Sequence, residues 1–231
     1  MYFFDPMYFI IIAPGLLLSL WASFKTKTTF SKYSKTPSQN NLTGAEAARE
    51  MLYQSGITGV TIERVKGSLT DHYDPRSTTL RLSESVYSER SLAAIGVACH
   101  EAGHALQHAS GYAALGIRSA LVPAANFGSS FSYIIIMIGM FMRSPGLMQL
   151  GCLLFGMAVL FSIITLPVEW NASSRAKVAM VEAGIITKQE RKAAGKVLNA
   201  AFLTYLAAAV TSILTLLYYL LRSGLLGGGD D

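Results

Sequence analysis

Four apolar runs decide what this chain can fold into: residues 7–24 (MYFIIIAPGLLLSLWASF), 127–142 (FGSSFSYIIIMIGMFM), 147–167 (LMQLGCLLFGMAVLFSIITLP) and 201–221 (AFLTYLAAAVTSILTLLYYLL). Crossing ~30 Å of hydrocarbon takes about 17 to 25 helical residues. A segment in lipid must also satisfy its backbone hydrogen bonds internally, which makes each run a helix. Three runs are long enough, and the second sits at the lower edge. Composition agrees, with 52% hydrophobic and 14% charged residues, against about a quarter charged in soluble domains. The expected fold class is an α-helical membrane protein with about four transmembrane helices, at residues 1–24, 127–143, 147–167 and 201–222, followed by a tail over 223–231. The first run lacks a basic leading region and a small-x-small cleavage site, so it reads as a retained anchor. Tyr2, Phe3, Phe4, Tyr218 and Tyr219 read as an aromatic belt at the outer interface.

Charge sets the orientation. Of 19 Lys and Arg, 11 fall between the first and second runs and 6 between the third and fourth, leaving only Arg143 and Arg222 elsewhere. The positive-inside rule then places both large loops in the cytoplasm, and the RSPG hairpin and both termini outside. The net charge of +5 marks flanks facing anionic lipid, and calls for no nucleic-acid partner. Cys99 and Cys152 lie in apolar helical stretches with neither disulfide nor metal-knuckle spacing, and read as buried small hydrophobes.

Within the first loop, residues 25–41 (KTKTTFSKYSKTPSQNN) are polar and basic and read as a tether. Residues 42–126 read as a small folded α+β region. It opens with a helix in LTGAEAAREMLYQSG, started by a Thr43/Glu46 capping box and stopped at Gly56. VTIERV (60–65) and TTLRLS (78–83) have the alternation of strands, and the Asp74-Pro75 turn in DHYDPRS separates them. Two strands alone are not stable, so they must pack on helices, the next of which spans about residues 88–110.

That last helix carries His100-Glu101-Ala102-Gly103-His104. Residues i and i+4 stack on one helical face, so His100 and His104 each offer a ring nitrogen to one Zn²⁺. Glu101 stands beside them as a base for a water activated there. This is the HExxH arrangement of zinc peptidases, and it makes the 42–126 region zincin-like. The extended pattern that would supply a third histidine is absent, since Gln107 and Ser110 stand where its glycine and histidine belong. His108 lies about 12 Å along the axis from His100 and reads as an outer-shell or solvated group. Of the remaining acids beyond the motif, Glu190 completes a capping box with Thr187, Glu182 lies at a helix end, and Asp230 and Asp231 fall outside by the charge argument. Glu169, at the mouth of the third run, is the ionisable group most in need of a role. The segment 168–200 that begins with it reads as a cytoplasmic helical loop.

The stretches LTDHYDPRSTTLRLSESVYSERSLAAIGVACHEAGHALQH and LPVEWNASSRAKVAMVEAG together resemble the YugP-type neutral zinc metallopeptidases, and the resemblance covers essentially the whole chain. It implies a membrane-bound, glutamate-zincin-like peptidase holding one zinc ion per chain. His100 and His104 match its first two ligands, Glu101 its base, and Glu169 the glutamate of its PVEFDAS-like segment. Here Trp170 and Asn171 replace the Phe and Asp of that segment, and Asn171 can orient a neighbour by hydrogen bonding without adding charge.

The expectation is a multi-pass cell-membrane zinc peptidase of polypeptide substrates, with its active site facing the cytoplasm. Two other classes compete with it: an intramembrane zinc protease, against which the third and fourth runs lack an Asn-Pro-Asp-Gly type element, and a non-catalytic scaffold that retains zinc. Glu101 argues against the scaffold, because a structural zinc site has no use for a base. The strand at 78–83 is a candidate edge for pairing with an extended substrate, and His72 is a candidate oxyanion donor.

Overall fold

The computed structural model describes residues 5–226. Tyr2, Phe3, Phe4, Asp230 and Asp231 lie outside the described residues. The chain is mostly helical: α1 (Pro6–Tyr33), α2 (Gly44–Gln54), β1 (Thr61–Val65), β2 (His72–Asp74), β3 (Thr79–Ser83), α3 (Glu84–Ser88), α4 (Leu92–Ala109), α5 (Ala113–Phe141), α6 (Pro145–Glu182) and α7 (Arg191–Arg222). Among the described residues, α1, α5, α6 and α7 are long and apolar enough to cross a membrane. The residues separate into two compact units.

The first unit takes the described residues up to Ala22, Ile117–Leu166, and those from Thr204 on. Small residues bring its helices together. A Cβ on Gly15 of α1 would lie 2.8 Å from the Thr211 hydroxyl of α7, and one on Gly128 of α5 would strike the Leu154 carbonyl of α6. Hydroxyl pairs add to this, Ser19 with Thr211 at 3.1 Å and Ser162 with Ser212 at 3.0 Å. Packing through small and hydroxylated residues suits helices with no hydrophobic drive toward one another in lipid. The outward faces are apolar, with Leu17, Leu20 and Leu153 exposed. Tyr218 and Tyr219 do not form the expected belt: both are buried, and the Tyr218 hydroxyl donates to Asp5 at 2.9 Å. A phenol that finds an internal acceptor has no need of the interface.

The second unit, Ser23–Gly116 with Pro167–Leu203, holds the sheet and the small helices. Its sheet has the order β1-β3-β2, with β1 parallel to β3 and β2 antiparallel to it. The strand β2 was not expected, because Asp74-Pro75 reads as a turn. Asp74 does make that turn, accepting from the Arg76 backbone and the Ser77 hydroxyl at 3.0 and 2.7 Å, yet the three residues ending at it pair with β3. These bonds hold the Asp74 carboxyl down at about 2. Between two partners, β3 is the central strand and cannot serve as the expected edge for a substrate. Its side chains Leu80 and Leu82 are fully buried against Met51 of α2 and Ile95, Ala98 and Ala102 of α4.

The capping boxes fall where the spacing puts them, Thr43 with Glu46 at the start of α2 and Thr187 with Glu190 before α7. The longer elements differ from expectation. The basic stretch after residue 24 is helical to Tyr33, because Phe30 and Tyr33 recur on one face and pack on Ala93 and Val197. The helix α4 starts at Leu92 behind the N-cap Ser91, whose hydroxyl accepts from Ala94, and α3 is separate. The helix α5 starts at Ala113, which gives it 29 residues where the apolar run alone looked marginal. The helix α6 continues through Pro167 to Glu182 without a break, and Gly184 with φ of +65° follows its end.

Candidate metal centre

The helix α4 is built to lie inside the second unit. Ala94, Ala98, Ala102 and Ala105 are buried on it, small enough to let other backbones approach. The closest approach is at Gly103, where an added Cβ would lie 2.6 Å from the carbonyl oxygen of Ala172 on α6. One turn earlier on α6 is Glu169, so this contact fixes that carboxylate against the histidine face of α4.

There the structure brings three of the expected residues together. His100 and His104 stack one turn apart with ring centroids 4.9 Å apart. His100 Nε2 lies 3.1 Å from Glu169 Oε2, and His104 Nε2 lies 3.7 Å from Oε1. Among the described residues this is the one group of three metal-ligating side chains, with ligand atoms all within 4.8 Å of one another. Glu169 is 1% exposed and His104 6%. A tetrahedral zinc site with bonds of about 2.0 to 2.1 Å sets its ligand atoms roughly 3.3 Å apart, so the separations and the donor set fit such an ion. Glu101 is half-buried beside the centre, and burial pushes its carboxyl up despite the pull of His100 and His104. Burial acts to lower His104, but Glu169 and Glu101 outweigh it and raise the imidazole. The local field favours a cation.

A hydrogen-bond chain behind the histidines sets which nitrogen faces inward. It can be followed from its far end. A guanidinium only donates, so Arg175 Nε, at 2.7 Å, identifies the Asn171 atom it meets as the carbonyl oxygen. That oxygen also accepts from Gln107 Nε2 at 3.0 Å, and the same amide nitrogen donates to the Val168 carbonyl at 2.8 Å. Gln107 therefore turns its oxygen to His104, and the 3.0 Å contact places a proton on His104 Nδ1. In the neutral ring, Nε2 then presents its lone pair to the centre. His100 is oriented likewise, with Nδ1 at 3.1 Å from the Ser173 hydroxyl, which can donate or accept, and Nε2 toward Glu169. Gln107, Ser173 and Arg175 were missed at the level of sequence. Their signal was spacing: Gln107 is three residues after His104, and Ser173 is four after Glu169.

The other candidates fall elsewhere. His108 is exposed and shares a 2.9 Å hydrogen bond with the Tyr73 hydroxyl, and His72 is exposed and donates from Nδ1 to the Thr70 carbonyl at 2.8 Å. Glu182 ends α6 and Glu190 caps α7, donors to neither histidine. Cys99 and Cys152 are both buried free thiols.

Two imidazoles and a buried carboxylate converging on one point, in a chain with four membrane-length helices, define a membrane protein with a candidate metal centre. The chain belongs to the family described as "putative neutral zinc metallopeptidase", whose model matches residues 8–224. It is similar to the "Putative membrane protease YugP" of Bacillus subtilis (strain 168), with 49% identity over 226 residues, covering 97% of this chain and all of that relative. No solved structure matches it.

Proposed function

We propose that the protein is a membrane-anchored zinc metallopeptidase that hydrolyses peptide bonds of polypeptides at the cytoplasmic face of the cell membrane. The observation that carries this reading is the convergence of His100 Nε2, His104 Nε2 and the Glu169 carboxylate within 4.8 Å. These three side chains would hold one zinc ion per chain, and three protein ligands leave a fourth position for water or substrate. When bound, the ion supplies Lewis acidity, which acidifies a water and polarises the scissile carbonyl.

The remaining work falls to the chain. Glu101 accepts the proton of the attacking water and delivers it to the amine that leaves, so each turnover returns the carboxylate to its starting state. Ser173 and Gln107 hold His100 and His104 with their Nε2 atoms inward. The basic residues of both large loops support the cytoplasmic orientation.

The test is metal content and casein hydrolysis on detergent-purified protein beside Glu101→Gln. The amide keeps the shape of the side chain and cannot take a proton. The variant should retain its zinc while turnover falls by roughly 10²- to 10⁴-fold, the usual contribution of a general base. Full activity in Glu101→Gln would end this mechanism.

A further inference from the structure

The second unit contains a cavity of about 630 Å³ whose lining includes none of the three metal-centre residues, walled by the polar end of α1, the start of α7 and Trp170 of α6. Three lysines line it, Lys25, Lys32 and Lys196, and none of its lining residues is acidic. Among the described residues none of the three makes a salt bridge, and the Lys32 ammonium lies over the Tyr33 ring at 5.7 Å. Three like charges gathered around one cavity repel one another until an anion enters it. The other polar lining adds hydrogen-bonding capacity, with the hydroxyls of Thr28 and Thr29 and the amide of Asn199. The Asn199 carbonyl oxygen is already taken by Lys177 at 3.3 Å, which leaves its amide nitrogen as a donor.

The rest of the wall is apolar: Trp170, half exposed and edge-to-face with Phe202 at 5.1 Å, and Leu203. Chain position explains the mixture. Lys25 directly follows the apolar run that ends at Phe24, and Phe202 and Leu203 open the run that begins at Ala201. The cavity therefore lies where two apolar helices turn polar, the level at which a lipid headgroup meets its acyl chains, and where Trp and Lys are enriched. A soluble anion would use the lysines and leave the apolar wall bare. A ligand with an anionic phosphate and an attached hydrocarbon matches both halves.

We propose that this cavity is a binding site for an anionic phospholipid, its phosphate held by Lys25, Lys32 and Lys196 and its acyl chains against Trp170, Phe202 and Leu203. The proposal is independent of whether the protein is a peptidase. It is tested in nanodiscs by the fluorescence of Trp170 in a Trp21→Phe background, which leaves one tryptophan of the two. Brominated phosphatidylglycerol, as a minor component in phosphatidylcholine, should quench Trp170 several-fold more than brominated phosphatidylcholine at the same fraction in phosphatidylglycerol. The variant K25Q/K32Q/K196Q should lose this preference, bringing the ratio of quenching by the two lipids close to one. K27Q/K35Q/K192Q removes the same charge from exposed positions outside the cavity and should keep it, as should the charge-retaining K25R/K32R/K196R. Should the cavity triple fail to fold, K196Q alone should show a partial loss. Equal quenching by the two lipids, or equal loss in both glutamine triples, overturns the proposal. Reversal by millimolar inorganic phosphate also overturns it, because the site would then take a free anion and not a lipid.

Discussion

Each residue of the proposed centre has a distinct expected failure. Glu169→Ala removes one of three ligand side chains and leaves the two imidazoles without their carboxylate partner, so zinc affinity should fall by more than the roughly 10- to 100-fold that loss of an outer partner costs. Glu182→Ala, at the end of α6, should bind zinc as the parent does. Competition with a calibrated chelator measures both, and the reverse order would assign the third ligand to the wrong glutamate. Gln107 makes a subtler case. It touches His104 and not the centre, and Gln107→Leu keeps the volume while removing the acceptor that holds the Nδ1 proton. Affinity should drop by roughly 10- to 100-fold, and zinc binding equal to the parent's would limit Gln107 to core packing. The histidines were legible because i and i+4 spacing needs no tertiary information. Glu169 was legible only as an acid in an awkward place. The route from Arg175 through Asn171 and Gln107 to His104 was not, because it links residues 61 to 64 apart in sequence through a contact between helices.

At the scale of elements the centre is a contact between α4 and α6, and Gly103 is where the contact is tightest. An added methyl would meet the backbone carbonyl of Ala172, which cannot rotate aside as a side chain can. Gly103→Ala should therefore displace α6 locally, with a stability loss of about 1–3 kcal/mol, typical of overpacking. Zinc affinity should fall with it, although no ligand has changed. Gly96→Ala is the control, since its Cβ would come no closer than 3.8 Å to Ala194, and it should bind zinc normally. Thermal unfolding and chelator competition on the two variants separate the cases, and normal zinc binding in Gly103→Ala would show that α6 has slack. The elements with local signals were readable: α2 and α7 from their capping boxes, β1 and β3 from alternation. The misread elements took their form from partners. Polar composition hid the end of α1, because it is held by tertiary contacts of Phe30 and Tyr33 and by the Thr26 hydroxyl on the Ala200 carbonyl, and β2 is a strand only because β3 lies beside it. Pro167 suggested a stop in α6, but a proline in a long helix can be carried by the packing around it.

At the scale of the whole molecule the proposed centre constrains topology. His104 and Glu169 meet at 3.7 Å, so the 64 residues between them must leave and return to the same side of any membrane. The helices between are long enough for one excursion each way: α5 has 29 residues, about 44 Å at 1.5 Å per residue, and the part of α6 up to Glu169 is comparable. In the proposed topology the turn joining them, with Arg143 at φ of +51°, is expected on the side of the membrane opposite the two large loops. The charge bias proposes which side is which, with 17 basic residues in the two large loops and 2 elsewhere. Cysteine labelling in intact cells checks both statements. Cys99 and Cys152 are buried, so the background should be low. Ser31→Cys, exposed on α1, should resist an impermeant thiol reagent, and Gly146→Cys, exposed at the start of α6, should be labelled. Labelling at residue 31 with protection at 146 would invert the protein and turn the site toward secreted or envelope polypeptides, while leaving its geometry intact. Equal reactivity at both positions is the more damaging outcome: α5 and the first part of α6 would then not form a crossing pair, and the long helices on either side of the histidine–glutamate contact would need another explanation.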